Sequence, residues 1–292
     1  MIVITAPTGQ IGHQVLDTLV AEGRPVRVIA RDPSRLAQGT RERVEVVPGS
    51  HNDPAVLAEA FAGADSLLWL VPPNPGAGDI HEHYLDFTRP AADAVKAQGV
   101  KRIVGITSLG RGYGRHAGLL SPAFAMDELI EGTGAHYRAL AMPYFMENLL
   151  NQVQAIRTTG TFFLPNAADR PLATVATRDI AAAAAGLLLD ETWTGQESVP
   201  VIGPDALSPE GMAQVLSEVL ERPVCFQQVE DQAYRATMLQ YGMTGAWAQG
   251  LVDMATAQND GIYDAEHKSL AAPAPTGFRQ WCEEVLKPAV LG

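Results

Sequence analysis

The first twenty residues, 1–20, read MIVITAPTGQIGHQVLDTLV, and the order of events within them decides the fold. A β-favouring apolar run, Ile2 to Ile4, leads into a turn of small residues holding Gly9 and Gly12, and a segment of helical period follows. In a strand-turn-helix with glycines at this spacing, Gly9 lets the backbone approach a diphosphate and Gly12 lets the helix pack closely on the strand. The helix N-terminus then favours the anion. Alone the pattern is weak; its place directly after a strand and before a helix, with further such units behind it, gives it meaning. The first glycine position of the pattern is held by Ala6, and Pro7 offers no backbone donor. Thr8 can supply a hydroxyl to a phosphate instead.

Working outward, six apolar runs (IVITA, VRVIAR, VEVVPG, SLLWLV, RIVGIT and HYRALA) alternate with segments of helical period through the first half of the chain. Their hydrophobicity is continuous rather than alternating, which predicts strands buried on both faces of a parallel sheet covered by helices. The expectation is an α/β Rossmann domain, doubly wound, over residues 1–149. Residues 150–292 are expected to form a smaller, mostly helical substrate-binding lobe, with some later strands returning to the first sheet. ATRDIAAAAAGLLLD, SPEGMAQVLSEVLE and DQAYRATMLQ read as its helices, and FFLP, SVPVIG and PVCFQQV as its short strands. No low-complexity linker divides the two parts, so a shared cleft at the carboxyl ends of the strands is the place to look for chemistry.

The 292 residues carry a formal net charge of -12, which leaves no broad basic surface for a nucleic-acid backbone. The two cysteines, Cys225 and Cys282, have no metal-ligand spacing and are too few for a disulfide framework, so a reducing, cytoplasmic setting is expected. The alanine-rich run is too short to span a bilayer, and no membrane association is expected. A homodimer is an open option.

At the tip of the second strand the chain reads VRVIARDPSRL. A ribose 2'-hydroxyl there wants a carboxylate, whereas a 2'-phosphate wants an arginine able to form charge-assisted bonds. Arg31 comes first and Arg35 one helical turn later, while Asp32 reads as the start of the next helix. The local chemistry favours NADP(H) over NAD.

The set TAPTGQIG, ARDPSRL, GSHNDPAVLAEAF, GADSLLWLVPPNP, VKRIVGITSLG and YFMENLL resembles the NmrA-like family of atypical short-chain dehydrogenase/reductases, and the resemblance continues through TRDIAAAAAGLLLD and LSPEGMAQVLSEVLERPV over nearly the whole chain. It implies that Gly9, Gln10, Ile11 and Gly12 line the diphosphate and that Arg31 meets the 2'-phosphate. By the same token Val71 and Pro72 lie by the adenosine, and Thr107 and Ser108 beside the nicotinamide. The stretch from Met142 to Asn148 would form part of the substrate mouth, with Tyr144, Phe145 and Asn148 as substrate contacts. Where that family commonly carries Arg-Pro-Gly, this chain has Ala141, Met142 and Pro143. The resemblance implies one of two functions: a reductase of quinones or other planar conjugated acceptors, or an NADP(H)-binding regulator without turnover.

Typical short-chain dehydrogenases use a Tyr with Lys four residues later, the lysine lowering the phenol pKa for acid/base work. None of the seven tyrosines here has lysine at that spacing. Hydride transfer to a conjugated acceptor does not require the pair, because the product anion is delocalised and water can protonate it; the cofactor supplies the reactivity and the protein proximity. Tyr113 and His116 in SLGRGYGRHAGLLS are candidate proton donors on a glycine-rich loop that could close over substrate. The alternative for both is ordinary exposure on a flexible loop. His81 and His83 are two apart and point to different faces of a helix, so no metal site is expected, and Ser108 lacks a hydrolase elbow. A reductase is preferred over a sensor, with an isomerase or cyclase using only the pocket as a third option.

Overall fold

The computed structural model describes residues 1–265 and 273–292. In chain order the first half contains β1 (Ile2–Ile4), α1 (Gln10–Ala21), β2 (Val26–Ala30), α2 (Gln38–Arg41), β3 (Glu45–Pro48), α3 (Pro54–Phe61), β4 (Ser66–Trp69), α4 (Ile80–Gln98), β5 (Arg102–Ser108), α5 (Ser121–Glu131) and β6 (His136–Met142). The second half contains β7 (Tyr144–Phe145), α6 (Val153–Thr159), β8 (Thr161–Leu164), β9 (Leu172–Val175), α7 (Thr177–Leu189), β10 (Gln196–Pro200), β11 (Ala206–Leu207), α8 (Pro209–Leu220), β12 (Cys225–Gln228), α9 (Asp231–Gln240) and α10 (Gly245–Asn259), before a helical segment over 278–291.

Seven strands form one sheet in the order β10-β6-β5-β4-β1-β2-β3, and every neighbouring pair in it is parallel. The six apolar runs of the first half are six of these strands, as their uninterrupted hydrophobicity predicts. One face is packed by α1 and α7, with Val15, Leu16 and Leu19 meeting Ile180, Ala184 and Leu188. The other face is packed by α3, α4 and α5 through Leu57, Phe61, Val95 and Met126. This is a doubly wound Rossmann sheet.

The second half behaves differently from its reading in one respect. The alanine-rich helix, grouped in the sequence with the smaller lobe, is α7 and lies against α1 in the sheet's own core. Its small side chains permit that close packing, but they carry no sign of which helix they meet. SVPVIG overlaps β10, which pairs with β6 at the sheet edge through Gln196↔Tyr137 to Pro200↔Ala141. The remaining strands form a three-stranded sheet, β11-β9-β7, and a parallel pair, β12-β8, around a third core that contains Met146, Leu149, Phe162, Leu216 and Trp281.

Helix starts follow their capping residues. Asp53 accepts from Ala55 N at 2.8 Å before α3, Asp79 from Glu82 N at 3.0 Å before α4, and Ser208 from Gly211 N at 3.1 Å before α8. Trp69 is buried in the core and both cysteines are free thiols. Among the described residues no helix is long and apolar enough to cross a membrane.

Candidate active site

The sheet order reverses between β1 and β4, so the crevice outside their carboxyl ends is where a ligand is expected. Thr5 stitches the two strands together there, its hydroxyl donating to Leu68 O at 2.9 Å and accepting from Leu70 N at 3.1 Å. The glycine turn leaves β1 at this point. Gly9 is the N-cap of α1 and makes no side-chain cap bond, so the first amides of the helix face the crevice uncapped. A Cβ on Gly12 would lie 2.2 Å from Ala6 O, so only glycine lets α1 sit this close to the turn. Ala6 takes φ 49°, the left-handed conformation natural to the glycine it replaces.

Beside the turn, Pro7, Thr8, His13, Arg35 and Thr40 line an open cleft of about 330 Å³. Arg31, at the tip of β2, is exposed and makes no ion pair among the described residues. Asp32 is occupied: its carboxylate accepts from Ser34 N at 3.0 Å and Ser34 Oγ at 2.6 Å, capping the turn at Pro33–Arg35. Those bonds hold its carboxyl below the usual range. The arginines are thus free to meet a phosphate while the one nearby carboxylate is committed to the backbone, and a glycine cradle, an uncapped helix start and an unpaired Arg31 fit an NADP-type dinucleotide.

Val71 is buried and Pro72 half-buried just after β4, where His83 Nε2 bonds Pro72 O at 2.9 Å. This gives His83 a structural partner while His81 stays exposed, and no cluster suited to a metal ion occurs among the described residues. His51, which the sequence reading passed over, is buried against Trp69 and Phe87 with Nε2 on Leu70 O at 3.0 Å. Burial pushes its pKa down to about 4, so it is a neutral ring in the wall behind β4.

Thr107 and Ser108 end β5 and are both buried. Thr107 Oγ1 donates to Asp127 at 2.8 Å and Tyr137 Oη donates to the other oxygen of the same carboxylate at 2.6 Å. Burial raises Asp127 to about 6 despite those donors. This triad was not visible in the sequence because its members come from β5, α5 and β6.

Tyr113 and His116 lie on the loop after β5, and that loop is fastened to α10. Tyr113 Oη donates to Asp260 at 3.1 Å, Arg115 pairs with Asp260 at 3.0 Å and stacks on the Tyr113 ring at 4.4 Å, and His116 Nε2 is 3.5 Å from Asp253. The loop after β4 is tied to the same helix. Thr244 N donates to Pro75 O at 2.9 Å, and Thr244 Oγ1 donates to Ala77 O at 2.6 Å while accepting from Trp247 N at 3.2 Å as the cap of α10. Helix α10 therefore braces both loops that flank the crevice.

Tyr144 and Phe145 form β7 and pair with Thr174 and Val175. Both are half-buried, whereas Asn148 is exposed. Glu147 between them is structural: it accepts from Thr177 N at 3.0 Å and from Trp281 Nε1 at 3.1 Å. Tyr144 is flanked by two phenols from the second half of the chain, Tyr234 on α9 and Tyr263 after α10, and burial with these neighbours raises its own phenol pKa. Nothing in the spacing of the sequence announces Tyr234 or Tyr263.

The chain is similar to several known proteins. The chain is 30% identical over 291 residues to a (4-alkanoyl-5-oxo-2,5-dihydrofuran-3-yl)methyl phosphate reductase of Streptomyces griseus, covering 97% of each chain. It is 27% identical over 282 residues to an NAD(P)H azoreductase of Xenophilus azovorans, covering 94% of this chain and 95% of that one. A solved structure of an NADPH-dependent quinone oxidoreductase from Escherichia coli complexed with NADPH superposes with a TM-score of 0.78 at 24% identity, covering 99% of this chain and 98% of the other. Residues 1–278 match the model of the NmrA-like family, and with the glycine turn, the sheet order and the paired loops already in place the chain belongs to that family.

Proposed function

We propose that the protein is an NADPH-dependent oxidoreductase that reduces a planar, conjugated acceptor of the quinone class by direct hydride transfer, without a Tyr-Lys pair. The observation that carries this reading is the pairing of an uncapped glycine turn with an unpaired Arg31 whose neighbour Asp32 is consumed by Ser34. The names of the azoreductase, the dihydrofuranone reductase and the quinone oxidoreductase share an acceptor with a conjugated double bond. Such acceptors accept hydride without a lowered-pKa tyrosine.

Bound NADPH supplies the two electrons with one proton, and water supplies the second proton of the reduced acceptor. The protein's part is placement. Gly9, Gln10, Ile11, Gly12 and Thr8 would hold the diphosphate, Arg31 and Arg35 the 2'-phosphate, and Val71 and Pro72 the adenosine side. Thr107 and Ser108 would hold the nicotinamide edge, with Asp127 and Tyr137 fixing Thr107 from behind. Tyr144 and Phe145 would give the acceptor an aromatic wall. Tyr113 and His116, engaged by Asp260 and Asp253, would act by holding their loop over the crevice.

Titration of wild type and Arg31→Ala with NADPH and NADH tests the cofactor, followed by a quinone and azo acceptor panel under NADPH. Removing a charged bond to phosphate is expected to weaken NADPH roughly 10- to 100-fold and leave NADH little changed. Binding of neither nucleotide by wild type would sink the reading. Tight NADPH binding with no turnover of any acceptor would replace the reductase by a cofactor-sensing protein.

A further inference from the structure

The open cleft beside the glycine turn is lined by one side chain that the reading above leaves without a role. Its walls are the turn at Thr8, α1 at His13 and Asp17, and the segment after β2 at Arg35 and Thr40. The side chains of Thr8, Arg35 and Thr40 make no hydrogen bond or ion pair among the described residues, so their donors line a space of about 330 Å³ without partners. His13 is exposed on the rim of this space and is held at one end only, its Nδ1 lying 2.7 Å from Gly9 O.

Gly9 O can only accept, so Nδ1 carries the hydrogen of that contact. This decides what Nε2 can do. In the neutral ring Nε2 holds a lone pair that repels an anion, and only the charged ring presents an N–H there. The charged groups that share the cleft with it are Arg35, on the segment after β2, and Asp17 on its own helix. Asp17 lies four residues on, about 6 Å further along α1 and so farther from the turn, where its carboxylate favours the charged ring. We propose that His13 is a binding residue for the 2'-phosphate of NADPH, donating from Nε2 in its charged form within the cleft it shares with Arg35, so that NADPH and not NADH is taken up together with a proton. This rests on the cofactor reading above and adds to it a residue that senses pH.

A phosphate dianion in contact with the ring favours its charged form, as any opposite charge at that range does. The proton comes from solvent onto Nε2, and no bond of the cofactor changes. The sign follows from where the proton sits. The contribution of His13 to NADPH affinity is complete at a pH where the free protein already holds the proton, and it is lost as pH rises through the range in which the bound ring releases it. The phosphate takes its own second charge at about pH 6, an effect that is the same whatever residue stands at position 13. NADH has no 2'-phosphate and offers Nε2 nothing to bind. Arg35 keeps its charge throughout, so the pH-dependent part of the preference for NADPH belongs to His13.

Calorimetric titration with NADPH and with NADH, repeated in buffers of different ionisation enthalpy, counts the protons taken up by wild type, His13→Gln and His13→Lys. At about pH 7 wild type is expected to take up roughly 0.3–0.6 proton more with NADPH than His13→Gln does, and the two should not differ with NADH. Between about pH 6 and about pH 8.5 the NADPH affinity of wild type should fall from roughly tenfold above that of His13→Gln to equality with it. His13→Lys carries a fixed charge and should keep the tight binding across that range without the extra proton. Equal proton uptake and equal NADPH affinity in wild type and His13→Gln overturn the assignment, as does a loss of affinity that NADH shares, which would place the effect at the turn instead of the phosphate. Should His13→Gln fail to fold, equal proton uptake in wild type and His13→Lys overturns it. A wild type that binds neither nucleotide ends the cofactor reading itself, and the role of His13 with it.

Discussion

At Gly12 one hydrogen atom is the whole margin. The Cβ that any other residue would bring lies 2.2 Å from Ala6 O and 2.9 Å from Ala6 C, and both are backbone atoms that no rotamer change can move aside. Gly12→Ala must therefore push α1 away from the turn, lifting its first, uncapped amides away from the proposed diphosphate position. The expected cost is on the order of 1–3 kcal/mol of stability, as for other overpacked sites. A tenfold or greater loss of NADPH affinity should accompany it, since the donors must approach phosphate oxygens closely. Gly112→Ala is the control, because a Cβ there meets nothing within 4 Å. Equal melting temperatures and NADPH affinities for the two variants would show that the close approach at Gly12 does not matter. The turn was legible in the sequence because its chemistry is local: strand, glycines and helix are consecutive, and the steric reason for each glycine acts within seven residues. The surrender of Asp32 to a cap two residues on was legible for the same reason.

Among the elements, α10 carries the most consequence for the site, because one helix holds the loops after both β4 and β5. Thr244 does three things at its start: it caps the helix through Trp247 N and holds Pro75 O and Ala77 O. Thr244→Val keeps the shape and the Pro75 bond but removes the cap and the Ala77 bond, which together contribute about 1–2 kcal/mol. A lower urea midpoint with little change in NADPH affinity is the expected result, since the glycine turn and Arg31 lie elsewhere; an unchanged midpoint would show that the hydroxyl contributes nothing. Helix α10 also shows where legibility ends. The strands of the first half were read from apolar runs because a strand buried on both faces needs no information about its neighbours. The alanine-rich α7 offered only small side chains, which fit against any close partner, and it went to α1 rather than to the smaller lobe. The tyrosine cluster was unreadable for a related reason: Tyr144, Tyr234 and Tyr263 come together from β7, α9 and the turn after α10, and no periodicity links them.

Over the whole molecule two buried groups pull the pH dependence of stability in opposite directions. Asp127, desolvated among Thr107 and Tyr137 with Arg111 and Glu131 nearby, is raised from its ordinary 3.8 to about 6. Between those values the folded state holds a proton the unfolded chain has lost, so its contribution is complete below pH 3.8 and disappears as pH rises through about 6. His51, desolvated against Leu70 with Arg31 and His83 nearby, is lowered from its ordinary 6.5 to about 4. Here the unfolded chain holds the extra proton, so its contribution is complete above pH 6.5 and is lost as pH falls toward about 4. At about 1.4 kcal/mol per pKa unit each group alone tilts stability by about 3 kcal/mol across the window, and the tilts oppose. Asp65, lowered to about 2 by the N-terminus and Lys101, is exposed and acts below this window. Wild type should thus show a nearly level urea midpoint from pH 4 to pH 6.5. Asp127→Asn removes one tilt, so its midpoint should climb with pH; His51→Gln removes the other, so its midpoint should fall with pH. Parallel midpoint curves for all three proteins would mean that neither group titrates between folded and unfolded states as its burial requires, and that the level wild-type profile has another origin.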